Sequence, residues 1–445
     1  MKAKHVIVLD IVGLSPEHLA MEDVLPNITG LLNNGFKAPL RPSFPGVTCS
    51  VQSSVATGSY PEDHGIIANG LFLKDEFRIA FWEQASSLVQ KKRIWDIVKE
   101  RKPELKTALL FWQNSLYANS DIVITPRPLH TEKGLVQWCY SKPVGYYEEI
   151  VNATEPFDLK YYWGPMASFK SSEWITNAAA YTLKKYKPDL MFVYLPHMDY
   201  SLQRVGLELQ NLRQELKNVD NLVGNIIKTI EDNGMRDDTT IIGLSEYPFH
   251  EVSSSLSPNI ILRDNGFLSV REIGGKEYLD YECSRAFAMV DHQIAHIYVN
   301  NSEDIEKVRN LFLGTEGIKF VFGEGEKREH HIASSRSGDL IIVSDEDKWL
   351  NYYYWNDVDL APDFAFTVDI HNKPGYDPLE LFFDPSTKTI PLDTTLIKGS
   401  HGFPSTEGGK MASFFMSEGN DELDKKDIIE TTDIAPLVLS LLGID

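Results

Sequence analysis

The chain has 445 residues, 42% of them hydrophobic, with 43 lysines and arginines against 64 aspartates and glutamates, a formal net charge of −21. Length and apolar content suit one large α/β domain carrying an insertion, or two or three smaller domains. A surface this negative repels nucleic-acid backbones and anionic membranes, so neither is expected as a partner; a phosphate substrate would need local cations to override the field.

In chain order, residues 5–11 (HVIVLDI) form a continuous apolar run ending in an aspartate, the pattern of a buried parallel strand with Asp10 at its C-terminal end. Similar runs at 107–112 (TALLFW), 189–195 (DLMFVYL) and 239–244 (TTIIGL) predict further strands. Helical spacing over 173–186 and 207–233 separates the last three, which indicates a mainly parallel sheet with helices on both faces. From about residue 266 to 350 the pattern changes. A β-α-β unit over 295–299, 302–313 and 318–322, followed by a strand at 338–343, reads as a smaller α+β insertion, cap or sheet extension. The expected organisation is therefore a core in 1–265, an insertion in 266–350 and a return to the core in 351–445. Residues 352–384 read as an ordered loop, 421–427 as a solvated acidic loop, and 434–442 as a closing helix.

Cys49, Cys139 and Cys283 stand far apart, which argues against a disulfide framework or zinc ribbon and suits a reducing compartment. The N-terminal apolar run carries Asp10 and no small-residue cleavage site follows; no stretch approaches the ~20 apolar residues of a membrane helix. A soluble, cytoplasmic protein is expected.

Ligands of such sheets sit outside the carboxyl ends of the strands. Those ends carry Asp10, then His197 and Asp199 in LPHMDY, then Glu246 in LSEY. Burying acids together without a cation is costly, so the pattern points to a metal site. The segment FPGVTCSVQSSVATGSYPEDHGI adds a turn at Pro45-Gly46 and a predicted helix over 47–56, with Thr48 near its start. Thr48 is then either an ordinary helix cap or a hydroxyl presented to an anion at the positive helix end. Its own pKa is far too high for attack, so a metal or adjacent base must activate it.

Asp10, this threonine segment, Asp199, Glu246, the late His401-Gly402 pair and the closing TTDIAPLVLSLLGI together resemble the type I phosphodiesterase/nucleotide pyrophosphatase family of the alkaline phosphatase superfamily, over nearly the whole chain. The resemblance implies an alkaline-phosphatase-like fold and a metal-dependent hydrolase of phosphate esters with Thr48 as nucleophile. It implies two divalent ions, usually zinc: one at Asp10, Thr48, Glu246 and Tyr247, the other at Asp199, Gln203 and His401. Tyr247 and Gln203 stand where the family has histidines, and Glu246 where it has aspartate. Oxygen donors of this kind suit Mg²⁺, Mn²⁺ or iron better than zinc. Candidates for the missing nitrogens are His197, His250, His292, His296 and His371, with Asp291 and Asp369 beside them. On pattern, His292 and His296 read as core histidines, and His64 as pinning its own turn.

On the substrate side, Val51 replaces a phosphate-binding asparagine of the family, leaving Gln52 and Asn69 as polar candidates and Arg285 behind them. Trp82, Tyr161, Tyr162 and Trp163 are aromatics able to stack on a flat group. Cys49 lacks the proline and arginine of the sulfatase motif and is expected to pack. The alternatives are P–C bond cleavage or phosphoryl transfer within the superfamily, or a metal-depleted relative that binds a ligand without turnover.

Overall fold

The computed structural model describes residues 3–132, 134–405, 409–419 and 423–444. The first residues of the acidic 421–427 stretch lie outside them. Strands β1 (His5–Ile11), β2 (Phe36–Arg41), β3 (Thr107–Leu110), β4 (Ile122–Pro126), β5 (Cys139–Lys142), β6 (Leu190–Leu195) and β7 (Thr239–Leu244) build most of the central sheet. Strands β8 (Ala286–Asp291), β9 (Ile294–Val299), β10 (Ile318–Phe322) and β11 (Leu340–Ser344) form a second sheet, before β12 (Ala412–Met416) and β13 (Ile429–Glu430) return to the first. The helices that matter below are α1 (Thr48–Thr57), α2 (Phe169–Tyr186), α3 (His197–Val205), α4 (Leu209–Asp232) and α5 (Ile434–Leu441).

The central sheet has nine strands in the order β13-β2-β12-β7-β1-β6-β3-β4-β5. Its middle is parallel, β7-β1-β6-β3-β4, while β12 and β5 run antiparallel to their neighbours. The fully buried apolar strands β1, β6 and β7 are what a sheet covered on both faces requires. The four-stranded sheet, order β8-β9-β11-β10, is antiparallel throughout. It shares a second core with aromatic residues of the 352–355 stretch and with Phe44, Phe72 and Phe81. No helix among the described residues is long and apolar enough to cross a membrane.

Gly243 marks where β7 and β12 come closest: a Cβ there would lie 2.0 Å from the Phe415 ring. Asp220 on α4 locks the short helix Pro26–Leu32 in place. Its carboxylate accepts from the backbone N–H of Asn27 (3.1 Å) and Ile28 (2.9 Å) and from the Asn27 amide (2.7 Å). Asp220→Ala leaves buried N–H donors unpaired and is expected to destabilise the fold by about 2 kcal/mol, measured by chemical denaturation.

Candidate active site

Register brings the acids together. In the parallel sheet Asp10 lies opposite Tyr194 on β6 and Leu244 on β7, so the three strands end level. Beyond β6, Pro196 starts α3 and sets Asp199 in its first turn; beyond β7, Ser245 leads to Glu246 and Tyr247. From the other side, α1 starts at Thr48 after an extended Val47, and Gly58 closes it in the left-handed conformation (φ 63°). Val47 takes the capping position, and Thr48 spends its side chain elsewhere.

The Thr48 hydroxyl is 3.0 Å from the Tyr247 phenol, which donates onward to Asp199 Oδ1 at 3.3 Å. His401 donates from Nδ1 to the Gly46 carbonyl (2.8 Å), so its Nε2 carries the lone pair and faces Asp199 Oδ1 at 3.6 Å. That separation is too long for a hydrogen bond. Burial, with His292 close by, holds the His401 imidazole neutral, so the contact is not an ion pair. The Tyr247 ring lies flat on His401, centroids 3.6 Å apart.

On the far side of Thr48, the Gln52 amide donates to Asp10 Oδ2 (2.9 Å) and Glu246 Oε1 (2.7 Å), while its carbonyl accepts from the Gln113 N–H (2.7 Å). Burial raises both carboxyls, Asp10 well above the usual range with the Glu246 charge adding to it, and Glu246 to about 7. Both carboxyls are thus driven toward their neutral forms. Burial, then the Glu246 charge, pushes Asp199 to about 7. On α3, one turn beyond Asp199, the Gln203 amide donates to Asp199 Oδ2 (2.5 Å) and its carbonyl accepts from the Tyr376 hydroxyl (3.2 Å).

A two-zinc centre needs several nitrogen or sulfur donors around each ion. Among the described residues, no three His, Cys, Asp or Glu side chains are grouped to hold an ion. His401 is the one imidazole among the positions the resemblance assigns to metal. Asp10, Glu246 and Asp199 each accept from a glutamine amide. These residues do not fit the two-ion centre.

Thr48, Asp199, Tyr247 and His401 line a cavity of about 390 Å³ with Trp82 and Trp163. Trp82 meets Trp163 and Tyr376 edge to face, at 6.0 and 6.1 Å. Two cationic side chains line the cavity, Arg127 and Lys373, and Lys373 is bound by Asp377 and Glu380.

The remaining candidates separate. Tyr162 lines the cavity, whereas Tyr161 sits under Lys160 and Lys170. His371 and Asp369 lie in the cavity wall, and His371 is exposed. Asn69 is turned away from the cavity: it accepts from the Cys49 N–H (2.9 Å) and donates to Asp291 (3.1 Å). Gln52 is likewise engaged with protein carboxylates rather than open to a substrate. His197 packs edge-on against Phe169, and His250 lies near Phe403. His296 is a satisfied core histidine between the Ile67 carbonyl and the Gly338 N–H. His64 does pin its turn, accepting from the Ile66 N–H and meeting Ser54. Arg285 pairs with Asp304, and Cys49 is buried.

The family model of type I phosphodiesterase / nucleotide pyrophosphatase matches residues 6–377. The chain belongs to this family. An ectonucleotide pyrophosphatase/phosphodiesterase of Caenorhabditis elegans is 22% identical over 381 residues, 82% of this chain and 42% of the relative. Ectonucleotide pyrophosphatase/phosphodiesterase family member 1 of Mus musculus is 25% identical over 235 residues, 52% of this chain and 22% of its own length. The chain thus spans less than half the length of these curated relatives. Among solved structures, murine ectonucleotide pyrophosphatase/phosphodiesterase 5, inactive and in complex with AMP, superposes with a TM-score of 0.64 at 14% identity, covering 100% of this chain and 96% of that one. Phosphonoacetate hydrolase from Sinorhizobium meliloti with phosphonoformate gives 0.62 at 15% identity, covering 99% and 96%. The alkaline-phosphatase-like fold is established by these likenesses.

Within this type I phosphodiesterase fold, Gln113 and Tyr376 are participants that the sequence did not single out, and His292 is one that it offered as a nitrogen donor while its pattern favoured the core. Gln113 follows the end of β3 at the same sheet edge, so the strand-end rule that found Asp10 would have found it too. His292, placed by pattern in the core, lies 3.6 Å from the His401 ring and 4.0 Å from Tyr376, bonded to Asp291 Oδ1 (2.7 Å). It sits in the β8–β9 turn at φ 60°, which swings it out of the strand alternation. Tyr376 comes from a loop with no periodic signal.

Proposed function

We propose that the chain hydrolyses small-molecule phosphate esters of the phosphodiester or nucleotide-pyrophosphate type, with Thr48 Oγ1 attacking phosphorus. The observation that carries the reading is the hydrogen-bonded line Thr48–Tyr247–Asp199 at the floor of an aromatic cavity. The positive end of α1 favours the anionic phosphoryl group beside Thr48. As the Oγ1–P bond forms, the threonine proton passes to the Tyr247 oxygen and the phenol proton to Asp199. The P–O bond to the leaving group breaks, the departing oxygen takes a proton from Asp199 or solvent, and water then cleaves the phosphoryl- or nucleotidyl-threonine ester, restoring the threonine hydroxyl. Trp82, Trp163 and Tyr162 offer flat faces to an aromatic leaving group, and Arg127, whose guanidinium lies against Tyr117, is the cavity cation not paired with a carboxylate among the described residues. No ion takes part in this step, because the donors do not fit the family's two-ion centre.

Tyr247→Phe removes the hydroxyl between Thr48 and Asp199, and kcat is expected to fall about 10²- to 10⁴-fold. Asp199 accepts a proton only when ionised. With its pKa near 7, wild-type kcat/KM should rise with pH through about 7, and this rise should vanish in Tyr247→Phe. The test is turnover of chromogenic nucleoside phosphodiesters, phosphomonoesters and a phosphonate by the purified chain across pH. Activity confined to the phosphonate moves the chain to P–C cleavage. Tight binding of nucleotides with no turnover at any pH replaces hydrolysis by the ligand-binding reading, which the amide-engaged carboxylates favour. Segments 1–265, 266–350 and 351–445 are our proposed core, insertion and returning core. The free thiols Cys49, Cys139 and Cys283 support placing the protein in the cytoplasm.

A further inference from the structure

We propose that the Gln52 carboxamide replaces a cation between Asp10 and Glu246, and that the Thr48 centre works without a resident metal. Gln52 stands one helical turn after Thr48, so both side chains leave α1 on the same face. The orientation of its amide is fixed from outside the site. Its carbonyl accepts the Gln113 backbone N–H at 2.7 Å, which directs the NH₂ group at Asp10 Oδ2 (2.9 Å) and Glu246 Oε1 (2.7 Å). An amide nitrogen has no lone pair to give a metal, and its hydrogens repel a cation. Turning the carbonyl inward breaks the bond to Gln113 and sets three oxygens against one another.

The same device recurs at the second position. Four residues after Asp199, Gln203 directs its NH₂ at Asp199 Oδ2 and accepts the Tyr376 hydroxyl on its carbonyl. Asp10 Oδ1 and Glu246 Oε2 are left without partners. With the Thr48 and Tyr247 hydroxyl oxygens these make four donors, still short of the octahedral shell that Mg²⁺ or Mn²⁺ takes, and Asp10, Glu246, Thr48 and Tyr247 are all buried. Two glutamines on two different helices thus make the same substitution of a neutral donor for an ion.

The test uses the full purified chain. Elemental analysis is expected to find far less than one metal ion per chain, and thermal melting should be the same with chelator, Zn²⁺ or Mn²⁺. Gln52→Glu, which keeps the shape and makes a third carboxylate, should gain a melting shift with Mn²⁺. Tyr247→His with Gln203→His, which restores two imidazoles, should bind zinc stoichiometrically. A wild-type chain that holds one or more equivalents of zinc or manganese, or that melts higher with either, overturns the proposal whether or not the variants fold. The readout is independent of turnover: a metal-free chain without activity sinks only the hydrolase reading, and a metal-loaded active chain sinks only this one.

Discussion

Thr48→Ala is expected to lower kcat on a chromogenic phosphodiester roughly a thousandfold or more, with KM little changed. The hydroxyl is the group assigned to bond with phosphorus, so its loss removes the covalent route rather than a binding contact. Tyr247 retains its bond to Asp199, and α1 retains its Val47 and Gly58 ends, so the fold should survive the change. Thr48→Ser preserves the oxygen and should keep measurable activity. Rapid acid quench of the wild type during turnover, followed by peptide mass analysis, should find the phosphoryl or nucleotidyl adduct on the peptide containing Thr48. Turnover by Thr48→Ala within about tenfold of wild type would remove the threonine from the chemistry. So would an adduct on Ser50 or Ser53 instead.

The parts of this site near strand ends were legible because β1, β6 and β7 are mostly apolar and an acid stands at or just beyond each end: Asp10 in β1, Asp199 four residues after β6 and Glu246 two after β7. A parallel sheet then leaves little choice about which edge those acids share. The expected strand and helix positions hold within a few residues: the helix expected over 47–56 is Thr48–Thr57, and the strand expected over 338–343 is Leu340–Ser344. What sequence could not supply is pairing. Gln52 meets Asp10 across 42 positions and Glu246 across 194, and nothing in a helix pattern says which carboxylate its amide will find. Gln52, expected on the substrate side, is engaged by protein carboxylates for that reason. Asn69 is a similar case: it donates to Asp291, 222 positions away, and does not line the cavity. His292 and His296 share the segment VDHQIAH and look alike in sequence. The tight β8–β9 turn separates them, sending one to the cavity and leaving the other in the strand core.

Lys373→Met is expected to destabilise the fold by about 3–5 kcal/mol at neutral pH, the range for removing one partner from a buried ion pair. The Lys373 ammonium reaches Asp377 Oδ2 (2.7 Å), Glu380 Oε1 (2.6 Å) and the Thr367 carbonyl (2.9 Å), with 1% of its side chain exposed. Methionine fills the volume but leaves two carboxyls facing each other in the interior. Burial pushes Glu380 to about 7 even with the lysine pulling it down, so removing the cation drives it further up. A carboxyl raised above its unfolded value is tolerated best when protonated, so the variant's deficit should be smaller near pH 5 than near pH 8. Denaturant midpoints of wild type and variant at the two pH values check this, and an equal deficit at both would show that packing rather than charge is lost. Function is tied to the same anchor. Asp369, Gly375 and Tyr376 line the cavity on either side of Lys373, and Tyr376 holds Gln203 against Asp199. This buried cation anchors the loop together with the Tyr376 N–H bond to the Val290 carbonyl (3.0 Å), and losing the cation should also weaken the Gln203 amide's hold on Asp199.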